Sequence, residues 1–104
     1  MTYALRFLPE VAGDAIAASG WYEDKSPDLG NDFLREFYSA AERIQQNPLF
    51  YRTVHTGTRR CLLDRFPYSI YFTIEGETVL VVGLFHCARD PRYISGELRN
   101  RDRP

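Results

Sequence analysis

Arginine, and the few groups that can move a proton near neutral pH, are where chemistry can reside in this chain. Twelve of its thirteen basic residues are arginine and one, Lys25, is lysine. The planar guanidinium fork suits phosphate and carboxylate recognition, although a bias of composition towards arginine would give the same count. The distribution is more informative. Residues 1–51 carry eight acids and four bases, whereas residues 52–104 carry six acids and nine bases, so a net charge of −1 hides a basic second half. That half holds Arg59, Arg60, Arg65, Arg89 and Arg92, both histidines, His55 and His86, and Tyr71. The arginines can stabilise charge on a phosphate or pair with carboxylates. His86 can act as acid or base near neutral pH, and Tyr71 can stack on a base or donate a proton. Each also has a plain structural reading. Arg59 and Arg60 can pair with helix acids such as Glu36 or Glu42, Tyr71 can be an exposed strand aromatic or a partner contact, and His86 can simply end an apolar strand. Arg65 and Arg89 can form no more than a basic rim.

Two cysteines, Cys61 and Cys87, make no disulfide framework. They read as small buried hydrophobes in apolar strands. Together with His55 and His86 they could form a Cys2His2 set, but no C-x-x-C or H-x-x-x-H spacing supports one. No metal and no cofactor are therefore expected.

The elements that must position these groups follow from hydrophobic periodicity. A chain of 104 residues is one domain's worth, here read as 1–104. Residues 3–7 alternate, with Tyr3, Leu5 and Phe7 on one side, which predicts a short strand. Pro9 suits the first position of a helix that runs to Asp24, with Val11, Ala15, Ala18 and Tyr22 as its stripe and Trp21 beside it. A turn at 25–30 leads to a second helix, capped by Asn31 or Asp32 and reaching Gln46, with Phe33, Leu34, Phe37, Ala41 and Ile44 inward. The two should form an antiparallel hairpin.

Residues 49–58 read as an irregular connection. From Arg59 the period changes to two, giving strands at 59–64, 68–75 and 78–86, with a tight turn at Glu75-Gly76-Glu77. In the middle strand Tyr68, Ile70, Phe72 and Ile74 should pack on the helices. Ser69, Tyr71, Thr73 and Glu75 should face water. The last strand is apolar on both faces, as a central strand should be, with the first strand a candidate neighbour on its far side. Residues 95–104 read as a loose tail. The fold class is thus α+β, in the order β-α-α-β-β-β, with a helical hairpin on one face of a small, mostly antiparallel sheet. The longest apolar stretch, Val79–Phe85, is too short to span a bilayer. The opening MTYALRFLPE alternates and forms no signal-peptide core. No membrane association and a cytoplasmic location are the expectations.

An ordered set of short segments resembles the RelE/ParE toxin superfamily of type II toxin–antitoxin, or plasmid stabilisation, systems. It comprises Phe-Leu-Pro-Glu at 7–10, Trp21-Tyr22-Glu23, Pro27-Asp-Leu-Gly30, Phe33-Leu34, Ile44 with Pro48, and Arg59-Arg60. Arg65-Phe-Pro-Tyr68 with Ile70-Tyr71 is the strongest local match, and Val81-Val82-Gly-Leu-Phe-His86 with Arg89-Asp90-Pro91 closes the pattern. The resemblance covers nearly the whole chain. It implies a bacterial toxin that arrests growth until a cognate acidic antitoxin binds it in a hetero-oligomer. RelE-like members cut messenger RNA on the ribosome without metal; ParE-like members poison DNA gyrase.

For a nuclease, the resemblance makes Arg60, Arg65, Tyr71, His86 and Arg89 the catalytic candidates, with His55 outlying. Such a site needs a base at the 2′-hydroxyl, an acid at the leaving oxygen and cations around the phosphate. RelE-like members usually bring lysines after the second helix, and residues 48–63 contain none. The apolar last strand ending in Phe85-His86 and then Arg89 is closer to the ParE side, on which the protein binds and breaks no bond. Arg59, Arg60, Arg65, Tyr71, Arg89 and Arg92 are then contacts for the target or the antitoxin, through a helix-in-groove and charge-pairing mode. A degenerate relative that keeps only partner binding is the remaining class.

Overall fold

The computed structural model describes residues 2–101. Strand β1 (Ala4–Phe7) leads into helix α1 (Pro9–Lys25) and helix α2 (Leu29–Gln46). A single 3-10 turn (Pro48–Phe50) follows, then strands β2 (Thr53–His55), β3 (Thr58–Leu62), β4 (Tyr68–Glu75) and β5 (Thr78–His86), and helix α3 (Pro91–Arg101). The sheet order is β1-β5-β4-β3-β2. β1 runs parallel to β5, and all other neighbours are antiparallel. The fold is α+β with the predicted hairpin and sheet, extended by β2 within the expected irregular connection and by α3.

α1 begins where Pro9, with its fixed φ and no N–H to leave unpaired, takes the first helical position. The hairpin turns on Asp28, which adopts a left-handed conformation with φ of 69°. α2 therefore starts at Leu29, ahead of the cap predicted at Asn31 or Asp32. The exposed amides at this end are held from α1: Glu23 accepts hydrogen bonds from the backbone N–H groups of Asp28 and Gly30, each at 3.0 Å. A carboxylate is also the favoured charge at a helix N-terminus. Gly30 is required by packing, because a Cβ there would lie 2.6 Å from the carbonyl oxygen of Ser19.

The main core lies between this hairpin and one sheet face. Phe33, Phe37, Ile44, Ile70, Phe72, Val79 and Val81 are all essentially inaccessible. Tyr68, Ile70, Phe72 and Ile74 pack as predicted. In β5 the inward residues are Val79 and Val81 but then Leu84, a switch of parity. A bulge explains it: Tyr71 pairs with Gly83 and Phe72 with Val81, so Val82 is the extra residue.

The second sheet face departs from expectation. Ser69 and Tyr71 are buried, not wet. α3 lies over this face and buries Ile94 and Leu98 against Tyr71 and Phe85. The predicted loose tail is thus helical through Arg101, whose side chain is itself buried; residues 102–104 lie outside the described residues. The start of α3 is set by Asp90-Pro91, in which the Asp90 carbonyl accepts from Ile94 N–H and its carboxylate from Arg92 N–H.

Candidate functional groove

β1 ends at Phe7, so among the described residues the far half of β5 has no strand neighbour on that edge. Side chains satisfy it instead. Asp14 of α1 accepts from the backbone N–H of Leu84 at 3.2 Å. Arg101 of α3 donates to the carbonyl oxygen of Val82 at 3.0 Å. The two are joined by paired hydrogen bonds of 2.7 and 2.9 Å, and Glu97 adds a third at 3.3 Å. The Asp14 carboxylate and the neighbouring Glu97 raise the Arg101 pKa above its ordinary value against the opposing effect of burial. The guanidinium also lies 5.0 Å from the Phe85 ring centroid. That ring folds back over Gly83, where a Cβ would meet it at 2.5 Å.

Above this junction opens a cavity of about 590 Å³ between α1 and the β5–α3 turn. Ala17 and Ala18 line its α1 side, and Trp21, Tyr22, Tyr68, Phe85 and Tyr93 supply aromatic wall. Small residues on the helix make the room; large rings on the strands and on α3 shape it. Burial raises the phenol pKa of both Tyr22 and Tyr68, and the charge of Arg89 partly offsets the effect at Tyr68. Arg89 stacks on Tyr93 at 4.1 Å, and Lys25 sits over Trp21 at 4.6 Å. The groove is therefore apolar and aromatic with two cations at its rim. Its size and lining fall within the range of ligand-binding clefts in general.

The sequence candidates fall into three places. Arg60, Tyr71, Arg89 and His55 line a second, smaller cavity of about 160 Å³ beneath α3. His86 lines the large groove with Arg89; its Nδ1 accepts from Ala88 N–H at 2.9 Å, and its ring meets Tyr68 edge-on. The others stand apart. Arg65 pairs with Asp32 on α2 at 3.6 Å, Arg59 donates to the Tyr51 carbonyl, and Arg92 pairs with Asp90. Arg59 and Arg60 do not take the helix acids: Glu36 accepts from the backbone N–H groups of Asp64 and Arg65. Five candidates treated as one set are thus split, and Arg65 lies on the hairpin side. Cys61 is buried in the main core as expected, whereas Cys87 is exposed, contrary to expectation, because β5 ends at His86. Among the described residues no group of three His, Cys, Asp or Glu is placed to hold a metal.

Sequence reading missed Asp14, Arg101 and Tyr93 as members of the site. Trp21 was legible as a large aromatic off the buried stripe, and it is 56% exposed. Asp14 and Arg101 left no such signal, because 87 positions separate them.

No curated protein is a significant match to this chain. A solved chain from a chromosomal ParDE toxin–antitoxin system of P. aeruginosa is similar in structure, with a TM-score of 0.74 at 18% identity. The match covers 82% of this chain and 96% of that one, a likeness of fold. The family model for the ParE toxin of type II toxin–antitoxin systems matches residues 5–91. That match takes in the hairpin, the whole of β2–β5 and the turn bearing Arg89, and the chain belongs to the ParE toxin family.

Proposed function

We propose that this protein is the growth-arresting toxin of a type II module, that its target is DNA gyrase, and that a cognate antitoxin neutralises it by seating an acidic, amphipathic segment in the large groove. The observation that carries the reading is the family match over residues 5–91. The groove adds chemical detail. Its walls are aromatic, and Arg89 has no carboxylate partner among the described residues. An apolar stripe flanked by acids complements such a surface. Toxin and antitoxin are then both cytoplasmic.

One observation favours a second reading, the ribosome-dependent messenger RNA endonuclease. His55, Arg60, Tyr71 and Arg89 converge on one cavity, which is the mix of cation, proton carrier and stacking ring that phosphodiester cleavage uses. Purified protein incubated with gyrase and, separately, with programmed ribosomes distinguishes the two. Gyrase-dependent DNA breakage or inhibition with intact message is the expected result. Message cut on the ribosome, and spared by Arg60→Ala, would replace the proposal with the nuclease. For the antitoxin, removing its acidic segment should dissociate the purified pair; a pair that stays together would refute the groove as its seat.

A further inference from the structure

The family match ends at residue 91, so nearly all of α3 lies outside the matched segment. Yet α3 supplies part of the groove. Tyr93 forms the outer wall and holds Arg89 by stacking. Among the described residues that line it, Asp14 is the only acid. Its carboxylate is engaged by Arg101, with side chains only 13% and 8% exposed, respectively. Without Arg101, a carboxylate of low exposure would face the same cavity as Arg89, and the groove would lose its positive character. Charge of one sign in a groove selects partners of the other, and a like charge on a partner is penalised.

We propose that α3, through Arg101 and Tyr93, is the element that makes this groove selective for an acidic partner segment. Arg101 is a positioning residue: it touches no partner but cancels Asp14 and holds Phe85 in place. Tyr93 contacts the bound segment directly. The inference rests on the groove being the antitoxin seat. It adds that selectivity comes from α3, a helix that lies outside the segment matched by the family model.

The test measures affinity of the full-length cognate antitoxin for four forms of the full toxin chain, each checked for folding by circular dichroism. Ala17→Arg, on the α1 wall, tests the seat itself and should reduce binding about a hundredfold. Arg101→Gln should weaken binding by about tenfold. Asp14→Asn/Arg101→Gln removes the bare carboxylate and should return the affinity to within about threefold of wild type. Tyr93→Ala should weaken binding by about tenfold.

A structural anchor alone would leave the double variant as weak as the single one, and that result would overturn the inference. So would folded Arg101→Gln and Tyr93→Ala proteins that bind like wild type while Ala17→Arg does not. Unchanged binding by Ala17→Arg would instead remove the seat, and with it the reading on which the inference rests. Should Arg101→Gln fail to fold, the double variant decides alone: near-normal affinity upholds the proposal, and a loss of tenfold or more refutes it.

Discussion

The two faces of the sheet are built on different principles. The hairpin face is held by continuous apolar burial, from Val11 and Phe33 through Phe72 to Val81. The α3 face is held by four buried side chains, Tyr71, Phe85, Ile94 and Leu98, and by the ion cluster of Asp14, Glu97 and Arg101. Apolar burial contributes stability in proportion to area and tolerates small shifts. A low-exposure ion pair contributes little net stability, because desolvation offsets attraction, but breaking it from one side is costly. One face therefore supplies most of the folding free energy, and the other fixes the shape and charge of the groove.

Variants can break this contrast. The largest loss is expected for Phe33→Ala, at about 4 kcal/mol, since the ring is fully inaccessible and contacts Tyr22, Phe66 and Tyr68; urea unfolding measures it. Asp14→Ala should cost about 3 kcal/mol by removing the paired hydrogen bonds of Arg101 and the acceptor of the Leu84 N–H, whereas Asp14→Leu/Arg101→Met should recover part of that stability in the same experiment. A double variant as unstable as the single one would show that the α3 face, too, depends on its ion pair for stability. Gly30→Ala should cost about 2 kcal/mol by forcing the two helices apart at Ser19, seen as a lowered denaturation midpoint.

The smallest effects separate the faces by pH. On the α3 side, hydrogen bonds from Arg92 hold the Asp90 carboxyl below its ordinary 3.8. Its contribution to the start of α3 is present above that value and is lost as pH falls through the depressed pKa. On the hairpin side, burial raises the Tyr22 and Tyr68 phenols above 10.0. The folded state favours their neutral form, so stability is full below pH 10 and declines as pH rises towards the raised values. Acid should therefore reduce helical circular dichroism before it alters Trp21 fluorescence, and alkali should alter the fluorescence first.

Legibility in the sequence followed the same division. The hairpin face was readable because its signals are local: the stripe from Val11 to Tyr22, that of α2, and the period-two pattern of β4 place their own side chains. α3 was not read. Only Ile94 and Leu98 mark its inner side, Gly96 interrupts it, and arginines dominate the rest. The Asp90-Pro91 start was a usable sign, an acceptor side chain followed by a residue preset for the first turn. The candidate arginines all lie in the basic half of the chain. Their grouping was not legible, because equal residue types at Arg60 and Arg65 end on different sides of the molecule.

By itself the sequence determined the α+β class, the hairpin, the inward faces of α1, α2 and β4 and the concentration of arginine from residue 52 onward. Each follows from the 3.6- and 2-residue periods, from turn residues and from composition, which need no partner distant in the chain. The tertiary structure alone decided that β1 lies parallel to β5 and stops short of its end, and that a bulge at Val82 switches the inward parity. It alone decided that Arg101 reaches Asp14 across 87 positions to set the charge of the groove. These depend on which surfaces meet once the core has formed, and a contact between distant residues leaves no periodic trace in either segment.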